Sequence, residues 1–468
     1  MTVPALGRNF RLLWSAAVTS RFGDALRTPA LALLAATLTR DPRAIAAVTV
    51  AGQLPPLLFG LPGGAYADRW DRRRTMATVD GVRALVVAAL AVLVGTGRAT
   101  VPALAAVAFL LAALGTLFDA AYFAMLPAVV PPAALPGANA RLQAGTAVAG
   151  AFLGAPLAGV LFALATAVPF TIDALTFALA ALLVLTLPPV PPPAPARRSC
   201  TFGPDKTPES GQTAGPICKI DEAGARGVDG TRGGGRAGAG ARAGVRTVWG
   251  EAWEGVRWVR GDRVLWAVTL AGAGANLAIS GLMAILVLYA LTVLRVPAEA
   301  YGLFAAGVVV GGLAGALVAG RLAGRFGTLP ALRGVLLWQT VALTGFALAR
   351  QPLTGGLALA AFAAGTTIWN SLRSAYGQRH VPAGLLGRVG AAQQVVGVAT
   401  APVGAVLAGF AGRAYGVAPV GWAAAAIFAL VTAVGWGRLR DAGPVAEHPT
   451  EATVRSWAGT GQHRRARS

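Results

Sequence analysis

Residues 101–126 read VPALAAVAFLLAALGTLFDAAYFAML, and Asp119 is the only Asp, Glu, Lys or Arg in this run. The run is longer than the roughly 20 apolar residues with which an α-helix crosses the hydrocarbon core of a bilayer. Because backbone N–H and C=O groups find no water in that core, such a run must be helical. Similar runs recur along the whole chain, so we predict an all-α membrane protein.

The composition supports this prediction. Of 468 residues, 55% are hydrophobic and 13% are charged, whereas a soluble domain carries about 25% charged residues. The net charge of +21 suggests nucleic-acid binding, but the basic residues lie mostly between the apolar runs, a pattern that sets membrane topology. We therefore expect no nucleic-acid partner. Cys200 and Cys218 have no CxxC spacing and no nearby histidine, so we expect neither a metal site nor a disulfide nor a cofactor.

The apolar runs predict twelve transmembrane helices, arranged as two six-helix bundles. The first bundle takes residues 1–187 and the second takes residues 264–437, and a tail follows at 438–468. The predicted spans are 10–38, 43–66, 77–97, 101–126, 141–165, 169–187, 264–294, 300–320, 330–349, 353–376, 389–412 and 418–437.

A polar linker at 188–263 separates the two bundles. It opens with the proline-rich run 188–193 and continues as a Gly/Arg-rich tract, a composition typical of disorder. Towards its end, Trp249, Trp253 and Val256 fall on one helical face, which predicts an interfacial helix lying on the membrane. A simple extension of the seventh span is the alternative.

Arginines are distributed unequally between the two sides of the predicted topology. The side that holds both termini and the linker is strongly basic, so the positive-inside rule places it in the cytoplasm. The loops on the other side hold few basic residues: Arg40, Arg43, Arg98, Arg295, Arg350 and Arg413.

The two halves also share short sequence patterns. GAYADR at 64–69 follows the second span and GRLAGR at 320–325 follows the eighth, while Ala-Pro recurs inside the fifth and eleventh spans at 155–156 and 401–402. Such repeats are typical of transporters that rock around a site at the membrane midplane. Chance similarity between Ala/Gly-rich helices is the alternative.

GxxxDRWDRR at 64–73 resembles the signature loop of the major facilitator superfamily, with Asp71 in the place of the usual glycine. Further segments resemble the subgroup of enterobactin-type siderophore exporters and macrolide efflux pumps. They are 9–14, 20–24, 127–131, 138–140, 170–177, 378–382 and 387–389. The resemblance implies the twelve-helix major facilitator fold, a multi-pass location in the bacterial plasma membrane, and a small-molecule substrate.

Charges inside a membrane are costly, so each one is a candidate for function. Coupling or substrate binding is expected at the candidates, and a structural role in packing or orienting the helices is the alternative. Arg373 has the further alternative of lying at a cytoplasmic helix end, and Asp173, outside this set, is expected to cap a helix. The candidates are Arg21, Asp24, Arg27, Asp119, Asn276 and Arg373.

Two further sets of candidates rest on the resemblance. The first is a cytoplasmic gating loop that holds the halves together, with topology-setting charge as the alternative: Gly64, Asp68, Arg69, Arg72 and Arg73. The second resembles the antiporter signature of superfamily exporters, with generic packing as the alternative: Gly150, Gly154, Pro156 and Gly159. The arginine that proton antiporters of the family carry in the fourth span is missing here.

No nucleotide-binding loop and no catalytic constellation is present, so we expect a transporter rather than an enzyme. The sequence predicts proton-coupled export of a small amphiphilic organic compound, such as a siderophore, a macrolide or another drug-like molecule, by a monomer that works through alternating access in the lipid bilayer. An importer of the same fold and a non-transporting membrane sensor are the alternatives.

Overall fold

The computed structural model describes residues 7–67, 71–131, 134–188, 199–200, 218–219, 257, 259–381 and 386–439. In the N-terminal half, the fifth span is built from two α-helices with a π-helix between them. The helices of this half are α1 (Arg8–Leu38), α2 (Pro42–Ala67), α3 (Arg72–Gly95), α4 (Val101–Val129), α5 (Leu135–Ala147), the π-helix Val148–Gly154, α6 (Ala155–Leu164) and α7 (Val168–Leu185).

The C-terminal half repeats this plan, and its first span is broken at Ile285 into two helices. Its helices are α8 (Arg263–Ala284), α9 (Leu286–Thr292), the 3-10 helix Ala298–Ala300, α10 (Tyr301–Phe326), α11 (Thr328–Leu348), α12 (Pro352–His380), α13 (Leu386–Tyr415) and α14 (Val417–Arg438). Between the halves, β1 (Ser199–Cys200) pairs antiparallel with β2 (Cys218–Lys219), which sets Cys200 opposite Cys218 in the ladder.

The described residues contain nine helices that are long and apolar enough to cross a membrane. Helices α1, α2 and α13 have comparable lengths of 31, 26 and 30 residues but fall outside that set. In α1 the reason is the group of charges around Asp24. The all-α membrane architecture is therefore confirmed, and the number of twelve spans stays a prediction.

Several helices are longer than the apolar runs that predicted them. Helix α3 begins at Arg72 rather than at 77, because the Asp71 carboxylate accepts a hydrogen bond from the Arg74 backbone N–H (3.1 Å) and caps the helix there. Helix α12 continues to His380 instead of ending at 376. Hydropathy marks where a chain enters hydrocarbon, whereas hydrogen bonding decides where a helix ends, so polar turns extend past the predicted limits. The predicted interfacial helix lies mostly outside the described residues.

We call the end of the bundle where α1 begins and α14 finishes the inner end, and the opposite end the outer end. Buried apolar residues form one large cluster at the outer end, to which both halves contribute, including Leu33 and Ile45 on one side and Leu282 and Tyr289 on the other. Two further clusters lie at the inner end. One belongs wholly to the N-terminal half and the other wholly to the C-terminal half. The shared core therefore joins the halves at their outer ends.

Glycines set the close contacts between the halves at the outer end. A Cβ on Gly302 of α10 would lie 2.0 Å from the Ala155 carbonyl oxygen of α6, and a Cβ on Gly159 would lie 2.4 Å from the Glu299 carbonyl oxygen. A Cβ on Gly409 of α13 would likewise lie 2.8 Å from the Ala46 Cβ of α2. Only glycine allows backbones to approach this closely. The structure is thus closed at the outer end.

The first turn of α2, together with Asp41 directly before it, belongs to the same closure. Arg43 donates to Asp41 through its backbone N–H (2.9 Å) and through Nη2 (3.0 Å). These hydrogen bonds, together with the charges of Arg43 and Arg413, hold the pKa of Asp41 below its usual value. The guanidinium of Arg43 also lies 5.9 Å from the centre of the Phe410 ring of α13. The first turn of α2 therefore contacts the outer end of α13.

Candidate functional site

The centre of α1 carries three of the predicted charges, and each has a partner. Arg21 reaches Asp119 of α4, with 2.6 Å between Nη2 and Oδ1, and lies 3.8 Å from Asp24. Arg27 pairs with Asp24 and also with Asp173 of α7, where Nε lies 2.8 Å from Oδ2. The predicted coupling candidates of the N-terminal half, Arg21, Asp24, Arg27 and Asp119, therefore form one connected group.

The Arg21–Asp119 pair is open to solvent. Its side chains are 47% and 51% exposed, although both lie well inside the length of their helices. An ion pair at that depth is too costly to face lipid. We infer that it faces the water-filled space between the two halves.

The Arg27–Asp173 pair is buried. The Asp173 side chain is fully buried and that of Arg27 is 12% exposed. The expectation that Asp173 caps a helix is wrong, because the N-cap of α7 is Ala167 and Asp173 lies more than a turn inside the helix. Its Oδ1 atom is buried without a hydrogen-bond partner among the described residues. Two carboxylates thus share the single guanidinium of Arg27.

Gly23 allows this contact between α1 and α7. A Cβ at position 23 would lie 2.0 Å from the Thr176 Oγ1 atom and 2.3 Å from the Asp173 Oδ1 atom. We expect Gly23→Ala to lower the free energy of unfolding by about 1–3 kcal/mol, because it overpacks a rigid contact. Gly334→Ala on α11 is the matched control, since nothing lies within 4 Å of its Cβ. Thermal unfolding in detergent measures both, and equal melting temperatures would contradict the prediction.

A second buried pair was missed by the sequence analysis. Asp80 and Arg83 of α3 lie 3.2 Å apart, with side chains 0% and 6% exposed. The guanidinium of Arg83 lies between the Phe118 and Phe177 rings, 5.2 Å from each centre. Two charges three residues apart inside a predicted span were the signal that could have found the pair.

The embedded charges of the N-terminal half do not cancel. Each arginine has an aspartate partner, and one carboxylate is left in excess. The group consists of Asp24, Asp80, Asp119 and Asp173 with Arg21, Arg27 and Arg83. An excess buried carboxylate is costly when ionised, and binding one proton removes the cost.

The predicted gating loop is only partly within the described residues, since Asp68 and Arg69 lie outside them. Gly64 lies in the last turns of α2, and Arg72 is the first residue of α3. Arg73 donates to the Leu185 carbonyl oxygen at the end of α7. In this conformation Arg73 therefore binds its own half of the molecule.

The antiporter-like segment coincides with the irregular part of the fifth span. Gly150 and Gly154 belong to the π-helix, and Pro156 follows as the second residue of α6. A Cβ on Gly154 would lie 2.7 Å from the Ala25 Cβ of α1, and Gly159 contacts the C-terminal half, as described above. Short π-helices are frequent at functional sites. This span packs both against the charged helix α1 and against the opposite half.

The C-terminal half contains a cavity of about 710 Å³ between α8, α11, α12, α13 and α14. It extends from Phe362 and Phe428 in the middle of the bundle to Val381 at the inner end of α12. Asn276 lines it and donates to the Gly397 carbonyl oxygen. A volume of this size is typical of pockets for drug-sized molecules.

Arg373 also lines this cavity and is held by a chain of hydrogen bonds. Its Nη1 donates to the Gln393 Oε1 atom (3.0 Å), and the Gln393 Nε2 atom donates to the Thr269 Oγ1 atom (3.1 Å). Arg373 lies seven residues before the end of α12, about 10 Å inside the helix. The structure therefore places Arg373 in the cavity rather than at a helix end.

The family model and the related proteins that match this chain indicate the same family. The model of the Major Facilitator Superfamily matches residues 13–404. Two proteins described as uncharacterized MFS-type transporters, from Mycobacterium bovis and Mycobacterium tuberculosis, are 34% identical over 150 residues. That match covers 31% of this chain and about a third of each relative.

Solved structures show the same fold at low identity. A bacterial homologue of the iron transporter ferroportin, in an inward-facing state, has a TM-score of 0.66 at 15% identity and covers 93% of this chain and 99% of its own. The nucleoside transporter NupG has a TM-score of 0.67 at 13% identity and covers 93% of this chain and 100% of its own. At such identity the likeness concerns the fold alone.

Proposed function

Because this chain belongs to the major facilitator superfamily and is a membrane transporter rather than an enzyme, we propose that it exports a small amphiphilic organic compound in exchange for protons. The exported compound resembles a siderophore, a macrolide or another drug-like molecule, the substrates of the subgroup that the sequence resembles. Transport follows alternating access, in which residues 1–187 rock against residues 264–437 and the two ends open in turn.

The observation that carries proton coupling is the excess carboxylate in the N-terminal half. Arg27 serves Asp24 and Asp173 at once, so the second carboxylate lacks a counter-ion of its own. A proton that binds there neutralises the group, and its release restores the charge. The Arg21–Asp119 pair, half exposed to the space between the halves, supplies the polar connection from water to this group.

Export as the direction is supported by the fifth span. Its glycines resemble the antiporter signature, and they contact both α1 and the opposite half. The described cavity also extends to the inner end, which we assign to the cytoplasm on the basis of the arginine-rich loops. An exporter in this conformation takes its substrate from the cytoplasm. We propose a monomer in the bacterial plasma membrane with both termini in the cytoplasm.

Everted vesicles test proton coupling directly. Radiolabelled erythromycin, enterobactin and 1-naphthoate are offered to respiring vesicles that contain the chain. We expect uptake of at least one compound and its loss when a protonophore is added. Uptake that needs ATP hydrolysis and survives the protonophore would contradict proton coupling, and no uptake of any of the three would favour a sensor.

Asp24→Asn in the same vesicles tests the charged group. We expect coupled uptake to fall by about 10²-fold or more, because the loss of one carboxylate leaves the group without an excess charge for a proton to neutralise, while the abundance in the membrane is unchanged. Asp262→Asn is the matched control: Asp262 caps α8, and asparagine caps helices equally well. Full uptake by Asp24→Asn would remove Asp24 from the coupling machinery.

A further inference from the structure

We propose that the transported compound is an organic anion whose negative group binds Arg373 in the cavity of the C-terminal half. The inference rests on the proposed transport function and narrows its substrate class. The described part of the cavity wall contains the cationic side chain of Arg373 and no acidic side chain.

Arg373 is the one charged side chain that the described part of the cavity wall contains. From Arg263 to Arg438 the sequence holds a single acidic residue, Glu299. Glu299 lies in the 3-10 helix before α10, at the outer end, whereas Arg373 lies near the inner end of α12. Asp262, directly before α8, accepts hydrogen bonds from the backbone N–H groups of Val264 (2.8 Å) and Leu265 (2.9 Å). Among the described residues, no carboxylate forms an ion pair with Arg373.

The described residues of the N-terminal half do not supply the missing partner in this conformation. Its solvent-exposed carboxylate, Asp119, is paired with Arg21 at 2.6 Å. Among the described residues the guanidinium of Arg373 has one hydrogen-bond acceptor, the Gln393 Oε1 atom. An arginine carries five N–H donors, so most of them remain for a ligand.

The hydrogen bonds around Arg373 fix it in place for binding. Gln393 is itself held by Thr269, whose hydroxyl donates to the Leu265 carbonyl oxygen (2.7 Å). A guanidinium that is already oriented loses little freedom when it binds a carboxylate, a sulfonate or a phosphate through two parallel hydrogen bonds. The negative group of the substrate then serves as the counter-ion of Arg373.

The rest of the wall suits an aromatic or apolar body on the same molecule. Trp369, Phe362 and Phe428 line the cavity and are largely buried in the protein. Gln339 and Asn370 add amide groups to the wall. A drug-sized molecule with one anionic group and an aromatic body therefore matches both the volume of the cavity and its chemistry.

Three compounds with one skeleton test the charge of the ligand: 1-naphthoate, 1-naphthamide and 1-naphthylmethylamine. They are anionic, neutral and cationic at pH 7.4. Calorimetric titration of the purified full-length protein in detergent should give about tenfold or more tighter binding of the naphthoate than of the amide, with the amine weakest. Absent or equal binding of the naphthoate would overturn the inference.

Substitutions of Arg373 test whether this residue binds the anionic group of the ligand. Arg373→Gln should remove the preference for the naphthoate and leave amide binding unchanged, and Arg373→Lys should keep a weakened preference. Arg325→Gln is the control, because Arg325 is an exposed residue in the last turn of α10 that is absent from the cavity wall. A preference that survives Arg373→Gln would overturn the inference, as would its loss in Arg325→Gln. If Arg373→Gln does not fold, Arg373→Lys decides alone, and an unchanged preference counts against the inference.

The vesicle assay separates this inference from the proposed function. Arg373-dependent binding of naphthoate without any proton-driven uptake would support the anion site and contradict the exporter. Proton-driven uptake of erythromycin that is insensitive to Arg373→Gln, with no preference for naphthoate, would support the exporter and contradict the anion site.

Discussion

Replacing Arg27 by leucine is expected to lower the free energy of unfolding by about 3–5 kcal/mol, because it leaves the buried Asp173 carboxylate without its counter-ion. Asp24 keeps Arg21 as a neighbour at 3.8 Å. Asp173 is fully buried, and its remaining oxygen already lacks a hydrogen-bond partner among the described residues. Thermal unfolding in detergent and the yield of folded protein measure the loss. Arg98→Leu, in an exposed outer loop, is the control and should change neither.

The double variant Arg27→Leu/Asp173→Leu tests the cause of that loss. Removing both partners of a buried ion pair is often close to neutral, whereas removing one partner is strongly destabilising. The double variant should therefore recover most of the stability that Arg27→Leu loses. If it is as unstable as the single variant, the role of Arg27 is one of packing, and the charge argument fails.

The fold could be predicted from the sequence because hydrocarbon allows so few alternatives. A run such as residues 101–126 must be a helix when no water is present to satisfy its backbone, and the structure has helix α4 there. Local irregularities of the helices could not be predicted from hydropathy in the same way. The break at Ile285 and the π-helix Val148–Gly154 follow from packing between helices, which a one-dimensional pattern does not contain.

Part of the candidate site could likewise be predicted from the sequence, and part of it could not. The charges of α1 could be identified from their depth in an apolar run, but their partners could not. Arg27 pairs with Asp173 at a separation of 146 residues, and only the arrangement of α1 against α7 brings them together. Asp80 and Arg83 could also have been identified from their depth in the third predicted span, but the position of Arg83 between the Phe118 and Phe177 rings could not.

A leucine at position 302 is expected to open the outer end of the bundle. Gly302→Leu cannot be accommodated while α6 and α10 keep their present distance, because the Ala155 carbonyl oxygen lies 2.0 Å from where the new Cβ would be. The two halves must part there. Overpacking costs about 1–3 kcal/mol, so the population that is open at the outer end should rise by about 5- to 150-fold.

Labelling of one engineered thiol measures this shift. Ala46 is 2% exposed and packs against Gly409 across the contact between the halves, so Ala46→Cys in a chain without Cys200 and Cys218 should react slowly with a membrane-impermeant maleimide. Adding Gly302→Leu should speed the reaction in proportion to the new population. Gly307→Leu on the same helix is the control, since nothing lies within 4 Å of its Cβ. Equal rates in the two leucine variants would mean that the glycine contact does not hold the outer end closed, and the closure would then depend on the apolar cluster that the halves share.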